Sequence, residues 1–264
     1  MIFRDDFYFL SNMYPCSVVV DGIEYSCSET AFQAQKTLDA SERKTLASLD
    51  GFAAKKAGRR VTLRPDWETV KVSIMETVVR AKFDQHADLM VKLHNVAGEI
   101  AEDNSWGDIF WGKCNGSGEN HLGKILMKIR DEKFALLIAG TRSYTDYETV
   151  CKTADYLLQR QVTMRKILIV SGGATGADAL AEKYARERGF ELKIVPADWT
   201  RYGRSAGPRR NAVMHGIIEG YKHRACLCFW DGSSRGTAHN FELARKGNTR
   251  LVVYNYTTKS FVTP

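Results

Sequence analysis

The pattern of apolar residues changes near residue 132, and that change constrains the fold more than any other feature of the 264-residue chain. Beyond it, short and continuously apolar runs recur at 134–139, 167–170, 192–195, 225–230 and 251–254. Between them the spacing predicts helices over 146–161, 177–188, 208–220 and 237–246. Strands that are apolar on both faces and alternate with helices of about 10–15 residues build βαβ units and a parallel sheet covered on both sides. Five strands and four helices predict a Rossmann-like sandwich, in which ligands collect at the carboxyl ends of the strands.

Residues before 132 show no such alternation. One extended stretch, 17–25, turns at Asp21-Gly22 and reads as a hairpin. Helices are predicted over 28–38, 40–49, 51–58, 66–84, 88–96 and 121–133, with Ser28 as an N-cap and Asp66 in the first turn after Pro65. The expected fold class is α/β: an α-rich α+β domain over 1–132, then a Rossmann-like parallel-sheet domain over 133–264.

Charge follows the same division. Residues 1–132 carry 17 Lys and Arg against 20 Asp and Glu, whereas 133–264 carry 21 against 11. Such a step predicts two units with different ligands, the second favouring anions, although a plain difference in solubility would look the same. No stretch approaches 18 consecutive apolar residues, and the N-terminus turns acidic where a signal peptide would have its apolar run. The six cysteines contain no CxxC pair and the six histidines are scattered, so neither a zinc site nor a disulfide framework is readable. Cys226 and Cys228 alternate within an apolar run and are expected on one side of a strand as small hydrophobes. These features lead us to expect a cytoplasmic protein with no cofactor, no metal and no membrane partner.

Three clusters in the first half carry chemistry. Ser11 and Asn12 sit between aromatics in 9–15. Glu29, Gln33 and Lys36 fall at i, i+4 and i+7 and share one helix face. A carboxylate in a first turn also suits the helix dipole, so Glu29 reads equally as a surface cap. Trp106, Asp108 and Trp111 lead into Gly112, Asn115 and Asn120 ahead of a helix, an arrangement that suits base stacking and ribose or phosphate binding. A packed tryptophan cluster followed by a turn would have the same pattern.

In the second half, three loops lie at the predicted carboxyl ends of strands. Gly140, Thr141 and Arg142 follow the first strand. Ser171, Gly172, Gly173, Gly176 and Asp178 follow the second, and Asp231, Ser234, Arg235, Gly236 and Thr237 follow the fourth. Glycines admit a phosphate close to the backbone, and helix N-termini supply free N–H groups. Arg209 and Asn211 belong to a basic segment, 201–211, and arginine forks suit phosphate. Together these loops predict an anionic, nucleotide-like ligand.

The segments FLSNMYP, VDGIEYSCSETAFQAQK, AGRRVTLRPDWETVKVSIMETVVRAKF and WGDIFWGKCNGSGENHLGKILMKIRDE resemble the NADAR family across 1–132. The resemblance implies NAD- and ADP-ribose-related chemistry and an N-glycosidase activity. The substrate would be ADP-ribose on guanine, a related NAD-derived metabolite, or an early riboflavin-pathway intermediate. It also implies active-site roles for Glu29, Trp67 and Asp108, with Lys36 in the FQAQK segment. Taken alone, Trp67 reads as a core residue at a helix start. Thr30 stands where family members often carry histidine or another aromatic-tolerating residue, a departure that bears on substrate preference.

Cleaving an N-glycosidic bond develops oxocarbenium character that a carboxylate stabilises, which assigns Glu29 and Asp108 to acid–base work and ribose positioning. A desolvated Lys36 would instead form a Schiff base with a ring-opened ribose. Substrate contacts are expected from Ser11, Asn12, Trp67, Trp106, Trp111, Gly112, Asn115 and Asn120.

The segments SGGATGADALAEKYARERG, PADWTRYGRSAGPRRNAVM and FWDGSSRGTAHNFELA resemble the SLOG superfamily in its YspA-like branch, over about 134–255. That resemblance implies a domain that binds a nucleotide-derived ligand. The expected partners are ADP-ribose- or NAD-related nucleotides, ADP-ribosylated nucleic acid, and a second copy of the chain joined through the SLOG domain. The alternative is a protein that sequesters ADP-ribose-type signals without turnover.

Overall fold

The computed structural model describes residues 3–159 and 161–263; residue 160, within one expected helix, lies outside that description. Two compact units emerge, one ending at Asp131 and the other beginning at Glu132. Among the described residues no helix is long and apolar enough to cross a membrane.

The first unit opens with a 3-10 turn, Asp5–Leu10, which buries Phe9 and Leu10 where the sequence suggests only a loop. A hairpin follows, β1 (Val18–Val20) and β2 (Ile23–Tyr25), closed by Asp21 and Gly22 with φ of 51° and 76°. Two left-handed residues in succession make the turn whose twist matches the strands. The helices are α1 (Ser28–Ala34), α2 (Ala40–Ala47), α3 (Gly51–Ala57), α4 (Trp67–Gln85), α5 (Ala87–His94) and, later, α6 (His121–Arg130). Asp39 and Asp50 cap α2 and α3 by accepting first-turn N–H bonds.

Helix α1 stops four residues before its expected end. The Lys36 N–H turns back to the Gln33 carbonyl, tightening the last turn, and the Lys36 carbonyl accepts from Arg64 instead. Asp66 does not cap α4 with its side chain; its carboxylate pairs with Arg64 at 2.6 Å. A two-residue parallel pair, β3 (Asp103–Asn104) with β4 (Lys113–Cys114), has no counterpart in the apolar pattern of the sequence.

Helix α4 buries Met75, Val78, Val79 and Phe83 together with Lys82, which is 1% exposed. A buried ammonium persists only with partners. The Lys82 Nζ donates to the Ser11 carbonyl at 2.8 Å and lies 5.3 Å from the Tyr14 ring. Burial pushes its pKa down to about 8, against the pull of Cys16 and Cys27. From the other side the Glu29 N–H donates to the Asn12 carbonyl at 2.9 Å. The Ser11–Asn12 backbone is therefore clamped between α4 and the start of α1.

The second unit runs β5 (Lys133–Gly140), α7 (Tyr147–Leu158), α8 (Gln161–Met164), β6 (Lys166–Ser171), α9 (Ala177–Glu187), β7 (Glu191–Ile194), α10 (Trp199–Tyr202), α11 (Ala206–Glu219), β8 (His223–Trp230), α12 (Arg235–Lys246), β9 (Arg250–Asn255) and β10 (Ser260–Val262). The sheet order is β10-β9-β8-β5-β6-β7, parallel except for the antiparallel edge strand β10. That sixth strand is three residues long and carries no apolar run to announce it. Strand alternation sends Leu136, Ile138, Leu227 and Phe229 into one core cluster and Ala135, Leu137, Cys226 and Cys228 into the other.

Gly176 precedes α9 with φ 73° and ψ −129°, and a Cβ there would lie 2.4 Å from the Thr141 and Arg142 carbonyl oxygens. Gly176→Ala should therefore destabilise the protein by at least about 1–3 kcal/mol. Gly216 lies on the exposed side of α11, and a methyl group there would have nothing within 4 Å. Gly216→Ala should instead stabilise by about 0.4–1 kcal/mol. Thermal unfolding of the two variants checks the opposite signs.

Candidate active site

The clamped loop, α1, α3 and the segment between α5 and α6 together enclose a cavity of about 260 Å³. Ser11 and Asn12 reach it from the loop, Glu29, Gln33 and Lys36 from α1 and its exit turn, and Lys55 from α3. Glu102, Trp106, Asp108 and Trp111 close the far side. Sequence spacing puts Glu29, Gln33 and Lys36 on one face, and all three line this cavity even though the helix ends early.

Glu29 is 8% exposed, and the Gln33 Nε2 donates to its Oε1 at 2.8 Å. Gln33 packs so closely on Gly58 that a Cβ there would sit 2.1 Å from its Oε1. Burial lowers the Lys36 pKa; Glu29 opposes the shift, and Arg59 and Lys55 add to it. Asp108 is partly committed: its Oδ1 accepts the N–H groups of Phe110 and Trp111 at 3.0 and 2.9 Å. Asn104 staples the same loop, its Nδ2 donating to the Asp108 and Lys113 carbonyls at 2.8 and 2.9 Å. Trp111 packs edge-on against Phe32, ring centroids 5.4 Å apart.

Four expected substrate contacts do not line this cavity. Trp67 is buried against Phe32 at 5.2 Å, with the Lys36 Nζ 5.7 Å from its ring, so it backs the lysine as core. Gly112 is packed against backbone, where a Cβ would come within 2.3 Å of the Glu102 carbonyl. Asn120 is 2% exposed, left-handed at the start of α6, and its Nδ2 donates to the Ile100 carbonyl at 2.9 Å. Asn115, also left-handed, lines a separate open cavity of about 410 Å³ with Arg4 and Trp106. Trp106, 60% exposed, faces both cavities.

Glu102, like Lys55, lines the cavity and is missed by sequence reading. It sits between Ala101 and Asp103 in an acidic run, with nothing in its spacing to separate it from the exposed Asp103. Burial pushes its carboxyl up to about 7, with Asp108 and Glu29 acting in the same direction and Lys55 against it. The Lys113 N–H donates to the Glu102 carbonyl at 2.8 Å, so the β3–β4 pairing fixes its backbone.

In the second unit, a cavity of about 530 Å³ opens at the carboxyl ends of β5 and β8, where the strand order reverses. Gly140, Thr141, Arg142, Asp178, Asn211, Asp231, Ser234, Arg235, Gly236 and Thr237 all line it. The first turn of α12 presents its N–H groups and partial positive charge there. The Arg142 guanidinium lies 5.3 Å from the Trp199 ring.

Ser171, Gly172, Gly173, Gly176 and Arg209 do not line the cavity. Ser171 is fully buried, its Oγ donating to the Asp178 carbonyl at 3.1 Å. The Gly172 carbonyl accepts from Arg210 at 2.6 Å, and a Cβ on Gly172 would collide with that guanidinium. Gly173 packs against Ile194, and Gly176 against the Thr141–Arg142 backbone. This glycine-rich loop is thus shaped around protein groups. Arg209 is exposed and stacks on Tyr202 at 4.7 Å, while its neighbour Arg210 reaches the cavity and pairs with Asp178 at 3.0 Å. Burial raises the Asp178 pKa and Arg210 pulls it back.

The NADAR domain model matches residues 2–133, and the YspA, cpYpsA-related SLOG family model matches residues 134–202. N-glycosidase YbiA of Shigella sonnei is 38% identical over 132 residues, covering 48% of this chain and 82% of that protein. A riboflavin biosynthesis protein of Vibrio vulnificus is 38% identical over 128 residues, covering 47% of this chain and 35% of that protein. The NMR structure of Escherichia coli YbiA, 36% identical, aligns with a TM-score of 0.45 over 49% of this chain and 80% of that one. The chain belongs to the NADAR family as an N-glycosidase, with a SLOG-family domain following the NADAR domain.

Proposed function

We propose that the first unit hydrolyses the N-glycosidic bond of a ribosyl nucleotide, releasing ADP-ribose from modified guanine or from a related NAD-derived compound. The supporting observation is the convergence of the Glu29 carboxylate, positioned by Gln33, with the depressed Lys36 amine in one small cavity beside Trp106 and Trp111. Glu29 activates water against the anomeric carbon, and the indoles offer faces for a base. The depressed Lys36 amine favours a second route, attack on a ring-opened ribose to give a Schiff base. Borohydride added during turnover separates the two: it leaves a ribosyl adduct on Lys36 if the covalent route runs, and unmodified protein if water attacks directly.

The second unit, in this reading, holds a nucleotide-derived ligand without cleaving it. Both of its cavity carboxylates are engaged, Asp178 by Arg210 and the Ala174 N–H, and Asp231 by the Ser233 and Ser234 N–H groups. Arg142, Arg235 and the α12 N-terminus remain to meet phosphate. Arg142→Ala with Arg235→Ala should weaken ADP-ribose binding in calorimetry and leave base release by the first unit unchanged.

The Vibrio vulnificus relative is named a riboflavin biosynthesis protein, and the second substrate we weigh is therefore a riboflavin-pathway intermediate, an aminopyrimidine ribosyl phosphate. Mass spectrometry of base release from NAD, ADP-ribosylated guanosine and that phosphate decides between them. We expect release from ADP-ribosylated guanosine, and a loss of about 10²–10⁴-fold in kcat for Glu29→Gln. Retained ligand without turnover, equal in wild type and Glu29→Gln, would contradict catalysis; cleavage of the phosphate alone would move the substrate assignment.

A further inference from the structure

We propose that Glu102 is the acid that protonates the departing base, a role distinct from that of Glu29; the proposal rests on the glycosidase reading above. Three carboxyl groups line the cavity, and two of them accept hydrogen bonds from the protein. Glu29 accepts from Gln33, and Asp108 accepts two turn N–H groups. Among the described residues no hydrogen bond or ion pair engages the Glu102 carboxyl, so its proton is free to be donated to a bound molecule. Its backbone, by contrast, is fixed by the Lys113 N–H and by the close approach of Gly112, which leaves no room for a side chain.

The groups that act on the Glu102 carboxyl are Asp108 and Glu29, both disfavouring its ionisation, and Lys55, favouring it. With burial as the largest cause, the carboxyl is held up to about 7 and keeps its proton at near-neutral pH. Environments that hold neighbouring carboxyls in different protonation states divide acid from base in one site.

In the step, the oxygen of water bonds to the anomeric carbon while the carbon–nitrogen bond breaks. The electron pair of that bond goes to the base nitrogen, which takes the proton of Glu102. The proton lost by water passes to Glu29. Glu29 then releases it to solvent, and Glu102 is reprotonated from solvent, so both groups return to their starting state. Without the acid the base must leave as an anion.

The test uses the full chain, with Glu102→Gln and Glu102→Asp assayed by base release across pH. Wild-type kcat should fall as pH rises through about 7. Glu102→Gln should lose about 10²–10⁴-fold in kcat with little change in KM and should lack that basic limb, and Glu102→Asp should recover part of both. A second readout is thermal stability. Because the folded-state pKa lies above the usual value of 4.5, wild-type stability should decline as pH rises from about 4.5 to about 7, and Glu102→Gln should lack that decline. A Glu102→Gln enzyme with unchanged kcat and the same basic limb would overturn the proposal while leaving the glycosidase reading intact. A wild-type protein that releases no base from any substrate would overturn both.

Discussion

Charge cannot be desolvated without compensation, and the first unit is arranged around that constraint. Three carboxyls and two lysines share about 260 Å³ of cavity. Four of the five are accommodated in different ways: Glu29 by an amide donor, Asp108 by turn N–H groups, Lys36 by losing basicity, and Glu102 by keeping its proton. The differences in chemical character among these side chains follow from what surrounds each one. Residue type alone would make the three carboxyls equivalent.

The surroundings are held by hydrogen bonds to backbone groups. Lys82 and the Glu29 N–H clamp the Ser11–Asn12 segment from opposite sides, and the buried lysine is compensated by the carbonyl it serves. Asn104 and Gly112 do the same for the segment carrying Glu102 and Asp108. The second unit repeats the device, because Arg210 ties the Gly172 carbonyl to the Asp178 carboxylate, and of that loop Ala174 and Asp178 reach the cavity while its glycines do not. What remains open there is the α12 N-terminus with Arg142 and Arg235, at the strand-order reversal.

Fold class was legible because it rests on periodicity. Strands buried on both faces and helices with one apolar stripe leave that mark wherever they occur, and Cys226 and Cys228 fell on one face as strand alternation requires. Strand β10 was not legible, since three residues at an antiparallel edge carry no pattern. Within the sites, Glu29, Lys36 and Asp108 could be singled out because helix spacing or an aromatic setting marks them. Glu102 and Arg210 could not, because their roles come from burial and partners distant in sequence. Trp67, Asn120 and the Ser171–Gly176 loop show the converse: residue types that suit a ligand also suit a core contact, a left-handed helix start or a tight turn.

The division of labour among the three carboxyls turns on the protonation of Glu102. A carbon-13 NMR titration of the glutamate side-chain carboxyls, with Glu102 assigned by the signal missing from Glu102→Gln, measures it directly. We expect that signal to titrate with a midpoint near 7. A midpoint near the ordinary 4.5 would contradict that division.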